Sequence, residues 1–194
     1  MIKTKQDLKH YLEKDFENEL KHGDGGGKSK IKDILNPRLR FVRNLRKLEY
    51  HTNNGGLWHK VMKLYHYYVH KQLSYKLGYT IYVNQFGPGL FLGHYGTIVV
   101  NPNCRIGARC CMNVCVNIGM GGSIIGDDCY IGPGVKIVKP VRIGNNVVIG
   151  ANAVVNKDIP DNTMVAGIPA KPIKIFDADS GRWVLIKRNE LDRK

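Results

Sequence analysis

The feature that most constrains this chain is a six-residue repeat in its second half. From Ile125 to Val155, every sixth residue is a β-branched aliphatic, and glycine follows in four of the six cases. A period of six fits neither a helix nor an ordinary strand. It favours a coil of short, flat strands joined by tight turns, with three hexads to each turn. The six repeat-starting residues are Ile125, Ile131, Ile137, Ile143, Ile149 and Val155.

The same phase continues upstream, with two extra residues after Leu92 and one after Ile118, which predict loops. We expect every starting residue to point to the axis of the coil and stack on its equivalent one turn away. No single turn can bury its own apolar face, so only the stack has a core. The upstream starting residues are Phe86, Leu92, Val100, Ile106, Met112 and Ile118. The residues four positions after each start from Val100 onward, also predicted to face inward, are Cys104, Cys110, Val116, Gly122, Cys129, Val135, Val141, Val147, Ala153 and Ile159.

The chain has five cysteines, and three of them fall on that second inward position. The cysteines also lack paired C-x2-C spacing, so we interpret them as small buried side chains and predict no metal site. A thiol nucleophile remains an alternative for any cysteine outside the core.

The first 80 residues lack the repeat, and we predict an N-terminal helical region at 1–78, a coil at 79–176 and a tail at 177–194. Helices are predicted over residues 3–21, 33–50 and 57–77, and some aromatic side chains of the third should cap the open end of the coil. Residues 22–29 are glycine-rich and resemble the end of a P-loop, but the required first glycine and preceding strand are missing. We interpret them as a linker. The tail after Pro172 could form a strand or a helix.

Thirty Lys and Arg against 16 Asp and Glu give a net charge of +14. The densest basic stretch, Lys28–Lys47, holds eight basic residues and one acid. Such charge fits nucleic acid, an anionic membrane surface or a cofactor with phosphates. The chain contains no run of 18 apolar residues, so no membrane-spanning helix is predicted. The charged first 20 residues do not resemble a secretory signal. The expected compartment is therefore the cytoplasm, including the inner face of the membrane.

The hexads, together with the segments GLFLGHYGTIVV, VNIGMGG and DIPDNTMVAGIPAKPI, resemble the hexapeptide-repeat acyltransferases over residues 79–176. The resemblance is to serine acetyltransferases and to the related O-acetyltransferases of surface-polysaccharide synthesis. It implies a left-handed parallel β-helix, mainly β, that uses acetyl-CoA as co-substrate. It also implies a homotrimer with active sites between neighbouring coils.

His94 matches the catalytic histidine of that family, and an imidazole suits the removal of a proton from an acceptor hydroxyl near neutral pH. In serine acetyltransferases an aspartate fifteen residues earlier orients this histidine. Here that position is Tyr79. The orienting group must then be a backbone carbonyl, Asn84 or a group of a neighbouring subunit.

The loop that holds the amino acid in serine-specific relatives contains an Arg-His pair, whereas residues 119–123 here contain neither. Recognition of a free carboxylate normally takes a cation, so a neutral sugar hydroxyl is favoured as the acceptor. The candidate acceptor-binding residues are Asn84, Tyr95, Asn113 and Asn117.

Resemblance also suggests where acetyl-CoA lies, along a coil edge of backbone amides and small side chains, with a lysine near the phosphates. An amide of Gly119 or Gly121 is the hypothetical donor to the oxyanion. The candidate cofactor-binding residues are Gly119, Pro133, Ala151, Ala166, Gly167 and Lys171.

Three functions stay open at this point. The favoured one is acetyl transfer from acetyl-CoA to a sugar in surface-polysaccharide biosynthesis; a serine O-acetyltransferase of cysteine biosynthesis is the alternative. A third is a non-enzymatic scaffold docking on anionic partners. Once the coil is assigned to a CoA enzyme, nucleic acid is not expected as a partner. The basic helices are expected to meet a membrane surface or a lipid-linked acceptor, with a solvated basic face as the rival interpretation.

Overall fold

The computed structural model describes residues 1–23 and 36–186. In those residues three helices precede a coil of short strands, most of them only two residues long. The helices are α1 (Lys5–His22), α2 (Pro37–Thr52) and α3 (Leu57–Leu77). The strands are β1 (Tyr79–Thr80), β2 (Phe91–Leu92), β3 (Ile98–Val100), β4 (Arg105–Ile106), β5 (Cys111–Met112), β6 (Asn117–Ile118), β7 (Ile124–Ile125), β8 (Tyr130–Ile131), β9 (Lys136–Ile137), β10 (Arg142–Ile143), β11 (Val148–Ile149), β12 (Val154–Val155), β13 (Thr163–Ala166), β14 (Lys171–Asp177) and β15 (Arg182–Leu185).

The strands stack in parallel into the three walls of a β-solenoid, as the repeat predicts. Wall A has the order β1-β3-β6-β9-β12, and wall B has the order β4-β7-β10. Wall C runs β2-β5-β8-β11-β13 and ends with β14 and β15, which add in antiparallel register. The tail therefore forms strands, which close one end of wall C.

The repeat-starting residues fill the interior. Ile106 pairs in register with Ile125 and Ile125 with Ile143, and all the starting residues are buried. The second inward positions are buried too, with one correction. Gly122 is exposed at a positive φ of 88°, and Ser123 points inward instead. The extra residue in this turn shifts the phase by one, and the Ser123 hydroxyl is satisfied by the carbonyl of Lys139.

Four of the five cysteines are buried, as predicted, and Cys115 is exposed at a turn. In the described ranges 1–23 and 36–186, no three side chains of His, Cys, Asp or Glu gather as metal ligands would.

The open end of the coil is closed by α2, not by the aromatic side chains of α3. Phe41 and Leu45 of α2 are fully buried against Leu77 of α3 and Tyr79 of β1. The prediction for the aromatics was wrong, because those residues lie on the outer face of α3. Exposed there are Trp58, Tyr65, Tyr67, Tyr68 and Tyr75.

A buried ion cluster ties the helices to the first turn of the coil. The guanidinium of Arg46 is fully buried and pairs with both carboxylate oxygens of Asp15, at 2.8 and 3.1 Å, and with Glu49 at 3.1 Å. It also donates to the carbonyls of Phe86 and Gly87. Charges buried this way are stable only when fully paired, so the cluster fixes how α1 and α2 sit on the coil.

The helices depart from prediction mainly at α2. It begins at Pro37, because Asn36 caps it by accepting from the amide of Arg38. The Leu57–Leu77 prediction is confirmed to the residue. The predicted linker lies almost wholly outside the described residues.

Within its described part, residues 36–47, the basic stretch Lys28–Lys47 is not a continuous surface patch. Its residues before 36 lie outside the described part of the chain, and two of the remaining arginines, Arg38 and Arg46, are buried in ion pairs. Burial of these two arginines leaves fewer exposed positive charges in this stretch for the expected contact with a membrane.

Candidate functional site

His94 lies at the corner between walls C and A, in the loop that joins β2 to β3. Its side chain is exposed, and the pocket beside it has a volume of about 130 Å³. The pocket brings together parts of α1 and of three successive turns of the coil. Its lining residues are His22, Gly23, Phe91, Gly93, His94, Cys111, Asn113 and Tyr130.

Three hydrogen bonds hold the main chain of this loop. The hydroxyl of Tyr79 donates to the carbonyl of His94 at 2.8 Å. The guanidinium of Arg38 donates to the carbonyls of Gly93, at 2.6 Å, and of Leu92. The residue before the histidine and the histidine itself are therefore both fixed through their carbonyl oxygens.

Arg38 is itself held in place by an ion pair. It is buried, it pairs with Glu19 of α1 at 3.1 Å, and its guanidinium lies 5.7 Å from the ring centre of Phe91. A charge-assisted contact of this kind is stronger than a neutral hydrogen bond. The position of the His94 loop thus depends on α1 and α2 as well as on the coil.

No group in residues 1–23 and 36–186 hydrogen-bonds the imidazole of His94. Tyr79, at the position where relatives carry aspartate, binds the main chain and not the ring. Asn84, predicted to orient the ring or to bind an acceptor, is engaged elsewhere in this chain. Its side-chain amide pairs reciprocally with that of Asn53, at 2.8 and 2.9 Å, in the contact between the helices and the coil.

Asn113 of the next turn lies directly against the His94 loop. A Cβ on Gly93 would come within 2.6 Å of the Oδ1 of Asn113, so a larger residue there would force the amide or the loop to shift. The Nδ2 of Asn113 donates to the carbonyl of Ile131, which fixes the amide orientation and leaves Oδ1 beside Gly93. Asn113 is therefore a predicted acceptor-binding residue that lies in the pocket.

His22 is a pocket residue that the sequence did not indicate. It ends α1, and its ring lies 5.7 Å from that of Phe91. Burial, with a smaller effect of Lys21, lowers the pKa of His22. Because it is 72 positions before His94 and lies outside the repeat, only the packing of α1 on the coil reveals it.

Cys111 also lines the pocket, which bears on the alternative of a thiol nucleophile. Its sulfur is buried, and burial raises the pKa of its thiol. A raised pKa disfavours the thiolate that a nucleophile requires.

Five predicted cofactor residues lie along the edge that starts at His94. The registers Leu92–Met112–Ile131–Ile149–Val165 carry through five turns. The residues that follow these strands therefore stack as one column, most of it exposed and small. Lys171 joins the column because it pairs with Ala166. On this edge lie His94, Pro133, Ala151, Ala166, Gly167 and Lys171.

The other predicted residues lie off this edge. Asn117 is half-buried in wall A, and Tyr95 is exposed beside His94. Gly119 lies at the next corner, and its N–H donates to the carbonyl of Ile137 at 3.2 Å. That amide is engaged in the wall, which disfavours the hypothesis that it stabilises an oxyanion. The N–H of Gly121 has no partner within the described residues.

Comparison with known proteins connects the coil to a family. Residues 122–157 match the family described as bacterial transferase hexapeptide (six repeats). An Escherichia coli protein with the provisional name lipopolysaccharide biosynthesis O-acetyl transferase WbbJ is 43% identical over 60 residues, covering 31% of each chain. Serine acetyltransferase of Mycobacterium tuberculosis is 32% identical over 94 residues, which is 45% of this chain and 41% of that one.

Structural similarity covers more of this chain than sequence similarity does. A crystal structure of Neisseria gonorrhoeae serine acetyltransferase superposes with a TM-score of 0.69 over 98% of this chain and 72% of that one, at 23% identity. That identity supports the fold alone. The match spans less than half the length of each of these two curated relatives.

Proposed function

We propose that this protein, a member of the hexapeptide-repeat transferases by its coil and its repeat, is an acetyl-CoA-dependent O-acetyltransferase with His94 as general base. The observation that carries the proposal is the single edge that starts at His94 and continues through small, mostly exposed residues to Lys171. The base and a path for an extended thioester cofactor then lie side by side.

The chemistry needs no covalent intermediate. The imidazole of His94 takes the proton from the acceptor hydroxyl, and the oxygen attacks the carbonyl carbon of the thioester. The tetrahedral intermediate then expels the CoA sulfur, which receives the proton from the imidazolium. Holding both substrates against one base supplies much of the rate by orientation. The raised thiol pKa of Cys111 argues against an acyl-cysteine route through that residue, and the exposed Cys115 does not line the pocket.

Acetyl-CoA would lie along the His94 edge. Pro133, Ala151 and Gly167 are exposed and small, so a flat pantetheine arm could contact the backbone there. Lys171 is exposed at the far end, where its ammonium would meet the phosphates. We assign the oxyanion to the N–H of Gly121, which has no partner within the described residues. Gly121 lies at the corner between walls A and B, away from His94, so a neighbouring coil would supply this amide.

For the acceptor we propose a sugar hydroxyl of a surface polysaccharide or its precursor. Among the described residues that line the pocket there is no lysine or arginine, while Phe91, Tyr130 and Asn113 offer aromatic faces and an amide. Such a lining suits a neutral polyol better than a free amino acid, whose carboxylate normally requires a cation. The reaction would take place in the cytoplasm.

The assembly we propose is a homotrimer, in which a neighbouring coil completes each site. The exposure of His94 and the lack of a described partner for its ring fit a site that a second chain closes. Light scattering on the purified protein tests this; a monomer that retains full turnover would contradict it.

L-Serine is the second candidate acceptor, because the alignment to a serine acetyltransferase covers more of this chain than that to the lipopolysaccharide enzyme, 45% against 31%. A steady-state assay of CoA release from acetyl-CoA separates the two. It compares L-serine with a panel of sugars and nucleotide sugars. We expect turnover with a sugar, whereas turnover with serine alone would overturn the sugar proposal. No turnover with any acceptor, and no acetyl-CoA binding by calorimetry, would favour the scaffold.

A further inference from the structure

α3 is apolar on two opposite faces, and the described residues of the chain cover only one of them. The inner face packs on α2 and the coil through His70, Leu73 and Leu77, which are buried. The outer face carries seven apolar or aromatic residues, each more than half exposed. We call this set the α3 stripe: Leu57, Trp58, Val61, Leu64, Tyr65, Tyr68 and Tyr75.

The stripe follows helical geometry and is not a scatter of single exposed residues. Its central members Leu57, Val61, Leu64, Tyr68 and Tyr75 are spaced by four, three, four and seven residues, so they fall on one side of the helix. Leu64 is 72% exposed and Tyr75 is 79% exposed. A contiguous exposed apolar surface of this kind marks an interaction site.

Charge identifies the partner. The sequence of α3 contains four lysines and neither aspartate nor glutamate. At 100° per residue, Lys60 and Lys71 flank one side of the stripe, and Lys76 lies with Trp58 on the other. A second copy docked face to face would place these lysines against their own equivalents, which is repulsive. An anionic surface would be attracted to all of them.

From these observations we propose that the α3 stripe docks the protein on an anionic lipid bilayer, with α3 lying in the plane of the interface. Tryptophan and tyrosine side chains favour the boundary between the headgroups and the acyl chains, and the aliphatic stems of lysines can extend their ammonium groups to the headgroups. No helix among the described residues has the length and apolar character to cross a bilayer, so the contact would be peripheral. The sequence prediction assigned a membrane contact to the basic helices before the coil in general, with the charge densest around Lys28–Lys47; the present proposal assigns it to one face of α3.

The test is co-sedimentation of the full chain with vesicles of phosphatidylglycerol and phosphatidylcholine, and with phosphatidylcholine alone. We expect binding to the anionic vesicles that weakens in high salt, and a loss of about tenfold or more for Leu64→Glu. Leu185→Glu is the matched control, because Leu185 is 70% exposed on β15; it should bind as the unaltered protein does. Circular dichroism checks that both variants are folded.

Equal binding of Leu64→Glu and the unaltered protein would overturn the proposal, as would binding to neither vesicle. Self-association that Leu64→Glu abolishes, without vesicle binding, would assign the stripe to a second copy and also overturn it. CoA release with a soluble acceptor should be unchanged in Leu64→Glu. Failure of membrane docking is therefore distinguishable from failure of the proposed activity.

Discussion

The hydroxyl of Tyr79 donates a 2.8 Å hydrogen bond to the backbone carbonyl of His94. A residue fifteen positions before the histidine therefore acts on its main chain, while its imidazole has no partner in the described residues. Burial raises the pKa of Tyr79 to about 12, so the phenol keeps its proton and donates throughout the neutral range. The loop is fixed and the ring remains free to meet an acceptor.

Tyr79→Phe removes this hydrogen bond and leaves the ring packing intact. We expect a stability loss of about 1 kcal/mol, as for one hydrogen bond, and a decrease in kcat of about tenfold through misplacement of the loop. Thermal unfolding and CoA release measure the two effects. Tyr82→Phe, whose hydroxyl makes no hydrogen bond in the described structure, is the control; equal kcat in the two variants would contradict the positioning role.

Arg38→Gln tests the second support of the loop. The change removes the charge that holds the carbonyls of Leu92 and Gly93 and leaves Glu19 without this partner. We expect kcat to fall by about tenfold or more with little change in the KM for acetyl-CoA, because the cofactor edge is untouched. The exposed Arg40→Gln serves as control. An Arg38→Gln enzyme that loses acetyl-CoA affinity but keeps kcat would show that Arg38 acts elsewhere.

Gly93→Ala tests the tight contact beside the base. The new Cβ would lie 2.6 Å from the Oδ1 of Asn113, so the loop or the amide must move. We expect kcat to fall by at least about tenfold, since small displacements of a base cost that much. Gly55→Ala is the matched control, because a Cβ there has no neighbour within 4 Å. Kinetics of Gly93→Ala indistinguishable from those of the control would refute the contact.

Stability should decrease in acid partly through His66, which stacks on His51 with ring centres 5.5 Å apart. Burial, together with His51 and Lys47, lowers the pKa of His66 to about 4 from 6.5. Below pH 6.5 the unfolded chain binds a proton that the folded chain does not, so stability falls until about pH 4. His66→Gln should reduce the slope of melting temperature against pH over that interval. The exposed His10→Gln should leave it unchanged, and an equal slope in both variants would be the contradicting result.

The sequence predicts the coil well because its repeat is a local pattern with one physical meaning. Within each six-residue repeat, certain positions are buried and others form turns, and this pattern suffices to place most of the inward residues. The one error, Gly122 in place of Ser123, arose where an extra residue shifted the phase. His94 and most of its edge followed from the same register and from the resemblance.

The remaining features depend on contacts between distant parts of the chain, and no periodicity encodes them. Arg38 and His22 reach the pocket only because α1 and α2 pack on the first turn of the coil. Asn84 was a candidate from the sequence, and only the packing of the helices on the coil shows that its side chain pairs with Asn53. The aromatic side chains of α3 do not close the open end of the coil, because Phe41 and Leu45 of α2 occupy that position.

The measurement that tests the central claim most directly is CoA release from acetyl-CoA by the unaltered protein and by His94→Ala, with the sugar panel as acceptors. The account predicts sugar-dependent turnover that falls by about 10²- to 10⁴-fold in His94→Ala, with acetyl-CoA affinity by calorimetry nearly unchanged. His10→Ala is the control and should retain full activity. Unchanged turnover in His94→Ala would contradict the account.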